Sequence, residues 1–248
     1  MESCSMDFSL SAYAVLALAA LVIGISKTGV PGLAIIGVVL VPMILPAKIS
    51  TGYILPFLIF SDILAVSYWR KAAVWRYILM VLPAMFAGIV VGYFLMGVIE
   101  DAVYAKVLGC LVIFLIALDC VRRHRHIPIP TNSRALIWLI GFLAGIMAML
   151  ANAAGTIMMI YLLAMNISKE EIVGTNAWLY FIINLVKVPF SVHLGLITLD
   201  SFLVNLMMLP AILAGGFAGV FIIRRISGQT FEKLMRILAF LGGVKLLF

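Results

Sequence analysis

Residues 26–32 read Ser26, Lys27, Thr28, Gly29, Val30, Pro31 and Gly32, inside an otherwise apolar stretch from Leu10 to Pro46. A lysine flanked by hydroxyls, two glycines and a proline is foreign to a lipid-facing helix. The proline and glycines break the helix, and the lysine puts a positive charge at the break. In a membrane-embedded chain, that combination points to binding of an anion.

A second set of the same kind is Leu150, Ala151, Asn152, Ala153, Ala154, Gly155 and Thr156. A helix that breaks and restarts frees N–H groups at the start of its second half, and these favour negative charge. Ser26, Thr28, Asn152 and Thr156 add side-chain donors for oxyanion oxygens. Gly29, Gly32 and Gly155 permit unusual backbone angles and close approach. For Lys27 the competing reading is snorkelling to the membrane surface, which its depth of some 16 residues in the apolar run disfavours.

Four further polar residues interrupt apolar segments. Asp62 lies well inside one, and Asn176, Asn184 and Lys187 share another. Asn176 and Asn184 fall on roughly one helix face, and Asn184 and Lys187 are neighbours three apart. Asp62 has Lys27 or Lys187 as a potential buried partner and is the candidate for proton coupling. The alternatives are a purely structural pair, or an interfacial Lys187 near the outer boundary.

No other arrangement suggests chemistry. His124, His126 and His193 stand in connections, with no metal-ligand spacing and no nucleophile–base set. Cys4, Cys110 and Cys120 form neither a disulfide framework nor a metal site. There is no phosphate-binding loop of the ATPase type. An enzyme, a cofactor and a metal are therefore not expected.

The elements that must position these residues are membrane helices. Hydrophobic residues make up 65% of the 248 and charged residues only 11%, against roughly 25% charged in soluble domains. Mean hydropathy is +1.25. Glu2 and Asp7 argue against a basic secretory signal. Ten apolar segments can be read: 10–25, 32–45, 50–69, 76–98, 102–120, 135–150, 155–166, 172–191, 200–223 and 230–247. Most reach the about 20 residues a bilayer crossing takes. The pairs 10–25/32–45 and 135–150/155–166 are short, and each reads as a re-entrant hairpin or as two tilted spans.

Basic residues set the orientation. Arg70, Lys71 and Arg76, then Arg122, Arg123, Arg125 and Arg134, then Arg224, Arg225, Lys233 and Arg236 mark three cytoplasmic connections. Those near Glu100–Asp101 and His193–Asp200 belong outside. The net charge of +7 is thus explained by topology, without nucleic acid. With the acidic N-terminus also outside, each short pair must enter and leave on one face, and the two pairs do so on opposite faces.

An internal match supports that inversion. Residues 82–92 (LPAMFAGIVVG) and 209–219 (LPAILAGGFAG) share six of eleven positions at an offset of 127. Gly52 and Gly174 align at a similar offset, as do Asp62 and Asn184. The match also fits simple small-residue helix packing. The expected fold is all-α: a polytopic membrane protein with one domain over 1–248, a first repeat over 10–120, a basic cytoplasmic connection at 121–134 and an inverted second repeat over 135–247. Each repeat has a short helix hairpin plus three transmembrane helices. Such repeats meet around a substrate site in many secondary transporters.

Several motifs resemble one branch of the sulfite exporter TauE/SafE family. They are Gly24 to Gly32, Leu55–Pro56 with Asp62, Ala151 to Gly155, Gly174 to Trp178, Asn184 to Phe190, and Gly195 to Thr198. Thr156 departs from the pattern, which has proline there. The resemblance covers nearly the whole chain. It implies a secondary transporter of sulfur-containing anions such as sulfite or sulfonates, in a bacterial plasma membrane.

The expected site is Ser26, Lys27, Thr28, Gly29, Gly32, Asn152, Gly155, Thr156, Asn176, Asn184 and Lys187 as binding residues, with Asp62 for proton coupling. The expected partners are a small anionic substrate and the lipid bilayer, with a homo-oligomer left open. A passive anion channel, a receptor without transport, and a transporter of carboxylates are the rival readings. A metal-ion transporter is disfavoured, because Lys27 would repel the cargo.

Overall fold

The computed structural model describes residues 8–31, 33–99, 133–231 and 233, without the side chains of Ile35, Val39, Thr156, Met159 and Ile160. Segment 102–120, residues 121–132 of the basic connection, most of segment 230–247, Glu100, Asp101, Cys4 and Gly32 lie outside the described residues. Within them the chain is all helical.

The first hairpin consists of α1 (Leu10–Thr28) and α2 (Ala34–Leu40), which runs into a 3-10 turn at Val41–Met43. Helix α3 (Ala47–Trp69) continues as a 3-10 turn over Arg70–Ala72, and α4 (Trp75–Val98) follows. The second hairpin is α5 (Arg134–Ala151) with α6 (Ala154–Ala164). Then come α7 (Lys169–His193), α8 (Leu199–Met207) and α9 (Leu209–Arg225).

The starts follow from local chemistry. The Ser9 hydroxyl accepts the Ala12 N–H at 3.3 Å, and Ser168 with Glu171 closes a capping box on α7. Among the described residues, five helices are long and apolar enough to cross a membrane: α1, α3 with its following turn, α4, α5 and α7. The segment read as one span at 200–223 is instead two helices, α8 and α9, bent by 51°. Pro210, near the start of α9, has no N–H to continue the ladder of α8. Together α8 and α9 would make a sixth span.

The hairpins differ from expectation in one respect. Their first arms are not short: α1 has 19 residues and α5 has 18, each about 27–29 Å long. Only the second arms, with 7 and 11 residues, are too short to cross. The break waits for Gly29 and Pro31, because nothing in Ile25–Thr28 prevents a helix.

Helix contacts are made through glycine. Helix α4 lies along α5, where a Cβ on Gly88 would stand 2.1 Å from the Phe142 carbonyl oxygen. Helix α1 lies along α9, where a Cβ on Gly215 would stand 2.1 Å from the Leu21 carbonyl oxygen. Gly88 and Gly215 are matching positions of the repeated LPA…AG sequence. Helices α3 and α7 run antiparallel: Gly52, early in α3, abuts Leu196 just beyond α7, while Gly174, early in α7, abuts Trp69 and Ala72 at the end of α3. With no side chain to hold the backbones apart, these crossings are close.

Among the described residues, two apolar clusters result. One joins α4, α5, α6 and α7 through residues such as Met85, Ile89, Ile137, Met158 and Leu179. The other joins α1, α3, α8 and α9 through Leu16, Ile23, Phe57, Met208 and Ile212. Outward faces are also apolar, with Leu79, Phe86 and Phe94 exposed on α4 and Phe217 and Phe221 on α9. Helices that are apolar inside and out suit a lipid surround.

Candidate functional site

A cavity of about 50 Å³ opens where the two clusters meet, with Leu58 of one cluster and Ala148 and Ala154 of the other among its walls. A water needs roughly 10–15 Å³ on this measure, so the space suits a few water-sized bodies or one compact ion. Its polar wall is Ser26, Lys27, Asn152, Asn176, Tyr180, Asn184 and Lys187, with Gly155 beside them.

Lys27 reaches the cavity from the last turn of α1. A cation is favoured there by the partial negative charge of the helix C-terminus. Its Nζ lies 2.8 Å from Asp62 Oδ1 on α3, with side-chain exposures of 11% and 0%. It also stands over the Tyr180 ring, 4.3 Å from the centroid, a cation–π contact. Asp62 takes a second bond, from Asn184 Nδ2 at 2.7 Å. Of the two partners open to Asp62 in the sequence, the fold selects Lys27.

Helix α7 supplies the opposite wall. Asn176, Tyr180, Asn184 and Lys187 follow at intervals of four, four and three, which keeps them on one face. Lys187 is 2% exposed, and its ammonium donates to Asn152 Oδ1. Asn176 Oδ1 and the Tyr180 hydroxyl are buried without a hydrogen-bond partner. Buried polar atoms in that condition call for an explanation, and here both residues line a cavity.

Asn152 joins the two sides. It ends α5 in the left-handed conformation, with φ of 53°, which asparagine tolerates better than most residues. Its Nδ2 donates to the Thr51 carbonyl at 3.0 Å, and its Oδ1 receives Lys187. Helix α6 starts directly after it. No side chain caps that start, and Ala154 and Gly155 of the first turn line the cavity. A Cβ on Gly155 would meet nothing within 4 Å.

Two expected binding residues stand elsewhere. The Thr28 hydroxyl donates to the Gly216 carbonyl at 2.7 Å, on α9. Gly29 abuts Gly219, whose carbonyl oxygen would lie 2.2 Å from an added Cβ. Because α1 stays helical through Thr28, Ser26 and Thr28 point about 200° apart around the axis. Ser26 therefore lines the cavity, while Thr28 and Gly29 fasten α1 to α9. The end of α1 is further held by Trp69 Nε1, which donates to the Thr28 carbonyl at 2.8 Å. Gly32 and the Thr156 side chain lie outside the described residues.

Tyr180 is the residue that sequence reasoning missed. Its signal was present: it sits midway between Asn176 and Asn184 on the same face of α7.

Fold and cavity together define a multi-pass helical membrane protein that holds buried charge at a small polar chamber. The chain belongs to the sulfite exporter TauE/SafE family, whose model matches residues 16–246, nearly its whole length. That is a family of membrane transporters of sulfur anions. No curated protein and no solved structure matches the chain.

Proposed function

We propose that this protein is a secondary transporter that carries a small sulfur oxyanion, sulfite or an organosulfonate, across a bacterial plasma membrane by alternating access. The observation that carries the reading is the meeting of Lys27 and Lys187, 160 positions apart in the chain, at one cavity. The anion would take hydrogen bonds from Ser26, Asn176, Tyr180 and Lys187, and from the free N–H groups at the start of α6. Lys27 has three N–H donors, one of which serves Asp62.

The motion would come from two inverted repeats rocking about the cavity. Support for the repeats lies in the antiparallel α3 and α7, in the reciprocal contacts of Gly52 and Gly174, and in the matched crossings of α4 on α5 and α1 on α9. Asp62 is the candidate for proton coupling, since protonating it would release Lys27 from its ion pair.

The test is flux of radiolabelled sulfite and of methanesulfonate into proteoliposomes, with and without a pH gradient. Lys27→Ala should abolish flux in the protein that still folds, because it leaves the Asp62 carboxylate unpaired beside the anion path. Unchanged flux in that variant would sink the proposed site.

A further inference from the structure

The charges around the cavity do not cancel. Among the described residues they are Lys27, Asp62 and Lys187. Asp62 is fully buried and 2.8 Å from Lys27, so these two form a neutral pair. Among the described residues Lys187 forms no ion pair with a carboxylate: its hydrogen-bond partner is the neutral amide oxygen of Asn152. The other polar groups on the walls are Ser26, Asn176, Tyr180 and Asn184, all uncharged as amides and hydroxyls. One positive charge remains for about 50 Å³ of space.

We infer that Asp62 makes this a monoanion site: by neutralising Lys27 it leaves Lys187 as the single uncompensated charge, so the chamber accepts a singly charged oxyanion and rejects a dianion. The inference rests on the proposed oxyanion site and adds the charge state of its cargo. Bringing a monoanion into the chamber ends with no net buried charge. A dianion leaves one negative charge uncompensated in a setting that penalises it heavily. Sulfite would thus enter as hydrogensulfite, and sulfonates, which carry one charge, would fit as they are. Sulfate, a dianion of similar size, would not. Asp62 acts on selectivity through Lys27 and is a positioning residue in this sense, since it does not line the cavity.

The experiment uses two probes of like shape whose charges do not change near neutral pH, methanesulfonate and sulfate. Binding of each to the purified full-length protein in lipid nanodiscs is measured at one pH by isothermal titration. The parent protein should bind methanesulfonate at least about tenfold more tightly than sulfate. Asp62→Asn keeps the shape and raises the site charge by one, and should move the ratio towards sulfate by about tenfold or more. Lys187→Gln removes the uncompensated charge and should weaken methanesulfonate by at least about tenfold. It serves as the second arm where Asp62→Asn does not fold. Sulfate bound as tightly as methanesulfonate by the parent overturns the inference alone. So does an unchanged ratio in a folded Asp62→Asn, or undiminished methanesulfonate binding in a folded Lys187→Gln. Failure of the parent to bind either anion overturns the oxyanion site and the inference together.

Discussion

Removing the Asp62 carboxylate should be among the most damaging single changes in this protein. In Asp62→Ala, Lys27 keeps its charge in a nearly closed setting, and the Asn184 amide loses its acceptor. At 2.8 Å the pair attracts by about 6 kcal/mol at an effective dielectric of about 20. Much of that attraction offsets desolvation already incurred, so the pair's net contribution is smaller. Breaking it is another matter, because one buried charge is left alone, and the cost is about 3–5 kcal/mol. The orphaned Asn184 donor adds about 1–3 kcal/mol. The measurement is reversible unfolding by SDS titration in mixed micelles, run as a double-mutant cycle with Lys27→Met. Asp62→Ala should lose at least about 3 kcal/mol. The double variant should be more stable than the sum of the two single losses predicts, by about 2 kcal/mol or more, because it buries no lone charge. An Asp62→Ala variant within about 1 kcal/mol of the parent, or strictly additive losses, would refute the buried pair.

Two other changes separate packing from chemistry. Gly215→Val would set a Cβ 2.1 Å from the Leu21 carbonyl oxygen, forcing α1 and α9 apart at a cost of about 1–3 kcal/mol or more; folded yield in membranes should fall, while Gly228→Ala, whose Cβ meets nothing within 4 Å, should accumulate normally. Asn152→Gly keeps the left-handed turn available but removes the bonds to Lys187 and Thr51, so the protein should stay folded and lose sulfite flux. Asn152→Ala should lose the same flux and an additional 1–2 kcal/mol of stability in the SDS titration, from strain at positive φ.

Much of the fold was legible because hydropathy is a local property. Helices α3, α4, α5, α6 and α7 begin and end within about three residues of the apolar segments. Ser168 and Glu171 mark a helix start by side chains only three apart. The bend at Met208 was missed although Pro210 announces it, because proline near a helix start and proline inside one look alike in an apolar run. Pro56, Pro83 and Pro189 all lie within continuous helices. Helix α1 runs further than the apolar segment because lysine and hydroxyl residues do not themselves break a helix; Gly29 and Pro31 enforce the break.

The sequence by itself determined that this chain is a bundle of membrane helices with lysines, asparagines and one carboxylate in places lipid would not tolerate. Burial of such groups follows from their type and from the length of apolar chain around them. Which of them meet was decided only in three dimensions. Asp62 pairs with Lys27 rather than Lys187, Lys187 turns to Asn152, and Thr28 leaves the cavity for α9. These choices depend on the rotation and depth of each helix against its neighbours. Those are fixed by backbone crossings such as Gly52 on Leu196 and Gly215 on Leu21, between residues well over a hundred positions apart. A lysine in an apolar run announces that it needs a partner. The packing of the helices names the partner and leaves the other lysine's charge for a ligand.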